Sequence, residues 1–301
     1  MESRPKILVI VGPTTSGKSA LAVRVAKQFG GEVISADSRQ VYRGLDIGSG
    51  KITVEEMRGV PHHLLDIADP REQFSVAEYQ KLAGKKVDEI LARKKLPIIC
   101  GGTGLYIRAL VDNLVLPPAP PNPALRAELA FLTTEQLFTR LQKLDPARAA
   151  TIDRHNPRRL VRAIEIALAP GSVPKLKDTE CPLKYNFEQI GLNPPPVILR
   201  QNIRARLLAR LDQGLIEEVQ NLQDAGLSWQ RLDDLGLEYR YVSRWLQLGA
   251  AGAREIATLL TELELAIWRY AKRQLTWFKR DPRIVWFERG DEAVAALQEK
   301  V

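Results

Sequence analysis

The stretch GPTTSGKS, at residues 12–19, constrains the fold of this chain more than any other feature. It fits the P-loop pattern G-x-x-x-x-G-K-[ST] in full and stands between KILVIV, a run typical of a buried strand, and the helix-like SALAVRVAKQF. Its glycines let backbone N–H groups turn toward an anion, and the following helix adds its positive dipole end. The pattern predicts a phosphate-binding loop rather than a plain turn. It leaves the reaction open, since kinases, GTPases, ATPases and enzymes that use other diphosphates all carry it.

Short β-rich runs alternate with helical stretches through the first third of the chain. After the first strand come EVISAD and LPIICGG, each bounded by turn residues. This alternation predicts an α/β fold, a P-loop NTPase-like parallel sheet flanked by helices. Ligands of such sheets bind beyond the carboxyl ends of the strands. We therefore expect Gly12, Asp37 and Thr103, which follow three of these ends, to converge on one crevice.

A change in composition marks a second part of the chain. The proline-rich LPPAPPNPA at residues 116–124 is unsuited to a helix or an inner strand and predicts a linker. The segments beyond it are mainly helical, and YNFEQIGL predicts a returning strand. We place a small helical insertion domain at residues 116–195 and the α/β core with C-terminal helices at residues 1–115 and 196–301.

The distribution of charge points to a polyanionic partner. The chain has 44 Lys and Arg against 36 Asp and Glu, a formal net charge of +8. Basic residues cluster in NPRRLVR and in RYAKRQLTWFKRDPR, and the second run is interleaved with aromatic residues. That mixture suits phosphate contact and base stacking on RNA, but the aromatics could equally be core and the charge could serve solubility. The residue pattern alone leaves both interpretations open.

Several other classes of protein are disfavoured. Cys100 and Cys181 are far apart and have no His or Cys at metal spacing, so neither a disulfide framework nor a zinc site is predicted. His62 and His63 are interpreted as structural for the same reason. No window approaches the roughly 20 apolar residues of a membrane span, and nothing resembles a secretory signal. We expect a cytoplasmic monomer without membrane association.

Two further motifs bear on the chemistry. Asp37 ends a predicted strand and is followed by Ser38 and Gln40, which can hydrogen-bond a base edge. A general base and a helix N-cap or second-shell Mg²⁺ ligand are equal alternatives for it on spacing alone. Many P-loop enzymes place a Walker-B aspartate after a later strand, but GGTGLY at residues 101–106 has Thr103 there. This departure argues against an ordinary NTP hydrolase.

Six stretches of the chain together resemble one family. In order, they are GPTTSGKS, ISADSRQVYRGLDIGSGK, GVPHHLLDIADPREQFSVAEYQ, GGTGLYIRAL, NPRRLVRAIEI and YAKRQLTWF. Their order and spacing resemble those of bacterial tRNA dimethylallyltransferases, the tRNA isopentenyltransferase family, over nearly the whole chain. The resemblance implies transfer of a dimethylallyl group from dimethylallyl diphosphate to N6 of the adenosine 3′ of the tRNA anticodon, with release of diphosphate.

The resemblance also implies roles for individual residues. Asp37 would be the general base, Thr103 would line the channel between prenyl donor and adenine, and Lys18 would stabilise the leaving diphosphate. Ser19 would hold Mg²⁺, the implied cofactor. The residues implied to bind the diphosphate are Gly12, Pro13, Thr14, Thr15, Ser16, Gly17, Lys18, Ser19 and Arg206. The residues implied to bind the tRNA anticodon stem-loop are Asp37, Ser38, Arg39, Gln40, Thr103, Arg158, Arg159, Arg162, Tyr239, Arg240, Lys272, Arg273, Gln274, Trp277 and Lys279.

The chain departs from the family pattern at four places. Asn202 replaces the first of two arginines that usually stand four residues apart, which puts one diphosphate contact in question. Glu238 replaces the small residue before Tyr239, so a negative charge stands where RNA is expected. Trp268 lies where a Thr-Arg pairing is more common, and APGSVP replaces a usual Thr-Gly. These positions leave the choice among tRNAs open.

Three alternative functions remain at this point. Adenylate isopentenyltransferases share the P-loop and the aspartate but act on a free nucleotide, and they need neither the basic insertion nor the basic C-terminal run. A small-molecule P-loop kinase would transfer a phosphoryl group instead. A catalytically silent RNA-binding protein would bind the anticodon loop without prenyl transfer.

Overall fold

The chain forms two compact units. The structure, a computed structural model, describes residues 4–117, 119–169, 184–249 and 252–298. The larger unit comprises Met1–Asn113 and Leu183–Val301, and the smaller unit comprises Leu114–Pro182.

The described residues contain six strands and fourteen helices. The strands are β1 (Lys6–Val11), β2 (Gly31–Ser35), β3 (His62–His63), β4 (Leu96–Gly101), β5 (Asn186–Leu192) and β6 (Ile284–Phe287). The helices of the larger unit are α1 (Lys18–Phe29), α2 (Val54–Met57), α3 (Val76–Ala92), α4 (Gly104–Val111), α9 (Pro196–Asp212), α10 (Leu215–Asp224), α11 (Trp229–Leu235), α12 (Leu237–Gln247), α13 (Ala253–Phe278) and α14 (Gly290–Gln298). The helices of the smaller unit are α5 (Pro123–Leu129), α6 (Thr134–Leu144), α7 (Pro146–Ala149) and α8 (Pro157–Leu168).

The strands form one parallel sheet in the order β3-β2-β4-β1-β5-β6. β1 lies inside it, between β4 and β5. The side chains of β1 alternate between two apolar clusters, with Ile7, Val9 and Val11 on one face and Leu8 and Ile10 on the other. Because helices cover both faces, the strand is apolar at every position after its first residue. The predicted parallel α/β core is confirmed.

Capping residues and glycines divide two of the predicted helical stretches, and one strand was not predicted. The stretch LRAELAFLTTEQLFTRLQKLD, predicted as helical, holds both α5 and α6, because Thr133 starts α6 with a capping box to Gln136. Gly214 separates α9 from α10 for a different reason: its φ of 97° lies in the left-handed region, which interrupts the helical backbone. β6 was not predicted from the sequence, since four residues are too few for an unambiguous periodicity.

The insertion is shorter than predicted. The sequence assigns residues 116–195 to it, but β5 pairs with β1 inside the core sheet. The smaller unit ends at Pro182, and its own core contains Leu129, Leu141 and Leu160. An isolated strand pattern such as YNFEQIGL does not reveal which sheet the strand joins, so the boundary at residue 195 is wrong.

The helices after β5 build a third apolar cluster in the larger unit. α9, α10 and α13 contribute Leu207, Val219 and Leu263, while the segment after β2 contributes Val41 and Leu45. All five side chains are almost fully buried. The cluster therefore fixes the chain that leaves the carboxyl end of β2 against the C-terminal helices.

The loops after β2 and β4 touch each other through their backbones. A Cβ atom on Gly101 would lie 2.2 Å from the carbonyl oxygen of Ala36, a distance that no side chain tolerates. The Thr103 N–H donates to that same oxygen over 3.1 Å, and the Ser38 N–H donates to Thr103 Oγ1 over 3.0 Å. The sequence prediction that the motifs of Asp37 and Thr103 meet is confirmed by these contacts.

Some sequence expectations fall outside the part of the chain that the structure describes. Residues 170–183, which contain most of APGSVP and Cys181, belong to this group. Among the helices of the described ranges, none combines the length and the apolar character needed to cross a bilayer.

The contact at Gly101 leads to a prediction about stability. Gly101→Ala should lower the free energy of unfolding by about 1–3 kcal/mol, because the added methyl group must push the loop after β2 away. Gly84 provides a matched control: it lies inside α3, and a Cβ there meets nothing within 4 Å. Gly84→Ala should instead raise the free energy of unfolding by about 0.5–1 kcal/mol. Urea unfolding of both variants measures the difference, and equal effects would contradict the crowding at Gly101.

Candidate active site at the carboxyl edge of the sheet

The P-loop between β1 and α1 has a backbone that depends on glycine. Gly17 lies at φ 87°, in the left-handed region. A Cβ on Gly12 would lie 2.7 Å from the carbonyl oxygen of Leu192 in β5. Thr15 also has a positive φ, and its carbonyl oxygen accepts a hydrogen bond from Asn202 Nδ2 over 3.4 Å. The loop is therefore wound tightly over the ends of two neighbouring strands.

Polar groups in this loop are prepared for an anion. Ser16 is buried, and its hydroxyl has no hydrogen-bond partner among the described residues. A buried polar atom without a partner is costly, so a phosphate oxygen here would remove a penalty as well as add a contact. Lys18 Nζ donates to the carbonyl oxygen of Pro13 over 3.2 Å. Burial lowers the pKa of the Lys18 ammonium below its ordinary value, against the opposing influence of Cys100 and Asp37.

A pocket of about 430 Å³ opens beside this loop. Lys18, the exposed Ser19 and Arg206 line it, as do Arg24 and Arg58 farther along. Burial, followed by the neighbouring charge of Arg210, lowers the pKa of Arg206 to about 10. The guanidinium stays protonated at neutral pH. An anion in this pocket would therefore meet several positive charges at once.

Gln274 joins the P-loop to the loop after β4. Its Oε1 accepts the N–H of Thr14 over 2.8 Å, and its Nε2 donates to the carbonyl oxygen of Gly102 over 2.9 Å. The side chain is almost fully buried, so the expected contact of Gln274 with tRNA is not supported. A primary amide suits the bridge because it both donates and accepts. The N–H of Thr14 is consequently not available to a phosphate.

The carboxylate of Asp37 is held by its own loop. Asp37 Oδ1 accepts the N–H of Arg39 over 2.8 Å and that of Gln40 over 3.3 Å. This turn is typical of Asp, whose side chain accepts from backbone N–H groups two or three residues on, and it leaves the carboxylate half-buried. Arg39 Nη2 donates to the carbonyl oxygen of Asp234 over 3.4 Å, and the N–H of Ser38 is used by Thr103. Three predicted site residues are thus fixed before any substrate arrives.

Glu238 does not face an RNA-binding surface. It is buried, and its Oε1 accepts a hydrogen bond from Arg210 Nη1 over 2.6 Å. The negative charge expected from the sequence at an RNA contact is therefore neutralised inside the protein. Arg210 lies one helical turn after Arg206, so α9 still carries two arginines four residues apart, although Asn202 occupies the usual first position. This pair could not be predicted from the sequence, because its members are 28 residues apart.

Two aromatic residues expected at the tRNA are largely internal. Tyr239 is 1% exposed, and its hydroxyl donates to Glu218 Oε1 over 2.9 Å. Burial, with the charge of Glu218, raises its pKa well above the ordinary value for tyrosine, so the phenol keeps its proton. A Cβ on Gly104 would lie 2.2 Å from the ring of Trp277, which packs against the core cluster of β1. The glycine makes room for the ring, so both aromatic side chains take part in internal packing, and tRNA contact by Tyr239 and Trp277 stays a prediction.

The basic residues predicted to contact tRNA fall into two groups. Arg39, Arg162 and Arg240 are occupied internally: Arg39 donates to the carbonyl oxygen of Asp234 over 3.4 Å, Arg162 to that of Ala119 over 2.7 Å, and Arg240 to that of Asp233 over 2.8 Å. The remaining ones are exposed on α8, on α13 and just beyond its end. These exposed residues are Arg158, Arg159, Lys272, Arg273 and Lys279.

Sequence reasoning missed three groups that organise the site. They are the carboxylate of Glu218, the Arg210 guanidinium and the carbonyl oxygen of Gly50, which accepts hydrogen bonds from two predicted site residues. The clustering of Gly44, Gly48 and Gly50 in one short segment was the available signal. Such clustering indicates close backbone packing, but it does not predict which side chains pack against the glycines.

The buried ion pair predicts an effect on stability. Arg210→Met leaves Glu238 buried without its partner and should lower the free energy of unfolding by about 3–5 kcal/mol. The double variant Arg210→Met/Glu238→Gln should recover most of that loss. Arg204→Met is the matched control on the same helix, because its pair with Glu264 is exposed and should contribute at most about 1 kcal/mol. Similar losses in the two single variants, measured by urea unfolding, would contradict the assignment.

Comparison with known proteins assigns the chain to a family. A family profile described as IPP transferase matches residues 40–281. The tRNA dimethylallyltransferase of Thermomicrobium roseum is 42% identical over 96% of this chain and 88% of its own length. The tRNA dimethylallyltransferase 1 of Geotalea daltonii is 44% identical over 92% of this chain and 87% of its own.

Solved structures give the same result. The full-length tRNA isopentenylpyrophosphate transferase of Bacillus halodurans is 40% identical, with a TM-score of 0.68 over 94% of this chain and 90% of its own. A eukaryotic dimethylallyltransferase acting on tRNA is 26% identical, with a TM-score of 0.76 over 91% of this chain and 69% of its own. With a matching profile, relatives above 40% identity and the same fold, the chain belongs to the IPP transferase family.

Proposed function

We propose that this protein transfers a dimethylallyl group from dimethylallyl diphosphate to N6 of the adenosine 3′ of the anticodon in tRNA. The observation that carries the proposal is the meeting of a P-loop pocket and the Asp37 carboxylate at one edge of the sheet, joined through Thr103 and Gln274. The names of the relatives support the same reaction. The cytoplasm is part of the proposal, because the acceptor is tRNA.

The donor side of the site suits a diphosphate leaving group. As the allylic C–O bond breaks, negative charge accumulates on the diphosphate. Lys18 and Arg206 line the pocket and oppose that charge, while the unpartnered Ser16 hydroxyl can donate to a phosphate oxygen. The exposed hydroxyl of Ser19 would hold Mg²⁺, which when bound supplies further positive charge to the diphosphate. No phosphoryl group is transferred.

The acceptor side of the site suits an amine that must lose a proton. The exocyclic N6 of adenine is a weak nucleophile, so formation of the C–N bond is helped by a base that takes its proton. Asp37 is positioned for this role, since the backbone N–H groups of Arg39 and Gln40 hold one of its carboxylate oxygens. The hydrogen bonds that Asp37 accepts from the described residues reach Oδ1, which leaves Oδ2 to accept the proton.

The proposed acceptor RNA is consistent with the exposed cations. A base in a single-stranded anticodon loop leaves its stack at low cost and can enter a pocket. Lys272, Arg273 and Lys279 in the larger unit, and Arg158 and Arg159 in the smaller one, are exposed and positively charged. Such side chains bind phosphates without reading sequence and position the RNA.

The acceptor can be tested directly. We expect labelled dimethylallyl diphosphate with Mg²⁺ to label an anticodon stem-loop that carries adenosine 3′ of the anticodon, but not free AMP. A stem-loop with guanosine at that position, which lacks the N6 amine, is the matched control and should stay unlabelled. Label in AMP alone would identify an adenylate isopentenyltransferase. Phosphoryl transfer from labelled ATP to a small molecule, without prenyl transfer, would identify a kinase instead.

The role of Asp37 predicts a specific kinetic loss. Asp37→Asn keeps an oxygen that can accept the N–H of Arg39 but removes the basic carboxylate, so turnover should fall about 10²-fold with little change in diphosphate affinity. Asp69→Asn is the matched control, because Asp69 makes the same turn, accepting the N–H of Arg71 over 2.8 Å outside the site. A variant at Asp37 that lost only donor affinity would contradict the role of base.

A further inference from the structure

The loop of residues 46–51 is bound to a single internal carboxylate. Glu218 Oε2 accepts the N–H groups of Asp46 over 3.0 Å and Ile47 over 2.6 Å, and Glu218 Oε1 accepts that of Gly48 over 3.0 Å. Three consecutive amides that converge on an anion form the kind of concave site that elsewhere binds phosphate. Here the anion is part of the protein. Hydrogen bonds to a charged acceptor are stronger than neutral ones, so the loop is held firmly.

Tyr239 completes this anchor. Its hydroxyl donates to Glu218 Oε1 over 2.9 Å and accepts the N–H of Ser49 over 3.1 Å. A Cβ on Gly48 would lie 2.7 Å from the Tyr239 ring, so the loop packs directly on the aromatic face. The N–H groups of residues 46–49 thus all donate to two side chains of the C-terminal helices, Glu218 and Tyr239.

The same loop touches both halves of the proposed active site. The carbonyl oxygen of Gly50 accepts a hydrogen bond from Arg206 Nη2 over 3.0 Å and another from Gln40 Nε2 over 3.1 Å. Arg206 lines the donor pocket, and the N–H of Gln40 holds the Asp37 carboxylate. A Cβ on Gly50 would collide with the guanidinium groups of Arg206 and Arg210, so the backbone of the loop lies directly against both arginines.

We propose that Glu218 is a positioning residue for prenyl transfer: through residues 46–50 it fixes Arg206 and Gln40, and so the spacing between the leaving diphosphate and the base. This inference rests on the proposed function and adds to it a residue that touches neither substrate. Reactions between two bound partners depend steeply on distance, and a misplacement of about 1 Å can cost on the order of 10²-fold in rate.

The test compares two neighbouring carboxylates on α10. Glu218→Gln replaces an accepting oxygen with an NH₂ group that faces backbone N–H groups, and it should release the loop. We expect turnover to fall about 10²-fold and the affinity for inorganic diphosphate with Mg²⁺ to fall several-fold, while the KM for the stem-loop stays nearly constant. Glu217→Gln removes the same charge from the exposed next position and should leave all three quantities unchanged.

A double-mutant cycle separates positioning from general stability. If Glu218 acts through Arg206, Glu218→Gln should weaken diphosphate binding far less in an Arg206→Met background than in the wild type. Additive losses, or a Glu218→Gln variant that behaves like Glu217→Gln, would overturn the proposal. Should Glu218→Gln fail to fold, Tyr239→Phe removes a single hydroxyl of the same anchor, and the same cycle with Arg206→Met decides the question.

The proposed function and this inference can fail separately. A wild-type protein that binds diphosphate but transfers no prenyl group would refute the function. The inference would then be judged on diphosphate affinity alone, which Glu218→Gln must still weaken through Arg206. Normal prenyl transfer in the wild type with an unaffected Glu218→Gln variant would refute only the inference.

Discussion

The backbone contact between Gly101 and Ala36 is the constraint on which the site depends. It brings the loops after β4 and β2 together so closely that no side chain fits between them. The two hydrogen bonds between Thr103 and the loop after β2, and the bridge of Gln274 to the P-loop, accompany that approach. Without it, a phosphate-binding loop and a carboxylate on separate strands would have no fixed relation to each other.

Charge in this region is divided between internal and substrate-facing groups. Arg210 is neutralised by the buried Glu238, and the backbone amides of residues 46–48 are satisfied by Glu218. Lys18 and Arg206 are left to line the pocket, with pKa values lowered by burial. Lys18 is partly buried and has already lost part of its hydration, so it gives up less when an anion arrives than a fully exposed lysine would. Because Arg210 and the amides of residues 46–48 are satisfied internally, the positive charge that remains for a substrate is concentrated in the pocket.

Much of the fold and part of the site can be predicted from the sequence. β1, the P-loop and α1 follow from a local pattern, and the alternation of strands and helices predicts the parallel sheet. The positions of β5 and β6 in the sheet cannot be predicted in this way, because the pairing of strands distant in sequence produces no local periodic pattern. Tyr239 and Gln274 were expected at the RNA from the family resemblance, yet packing has turned both side chains inward. Local sequence context does not specify which side of a helix faces the core when both sides carry polar residues.

The sequence by itself determined the chemistry that is local: a loop that can bind phosphate, a carboxylate after a strand, and a threonine where a Walker-B aspartate is common. Each depends on residues close together in the chain, so spacing is sufficient. Only the tertiary structure decided that Arg210 pairs with Glu238, and that Glu218 and Tyr239 hold the loop that joins Arg206 to Gln40. Those contacts connect segments far apart in sequence, and they exist because the apolar cluster of the C-terminal helices packs against the chain leaving β2.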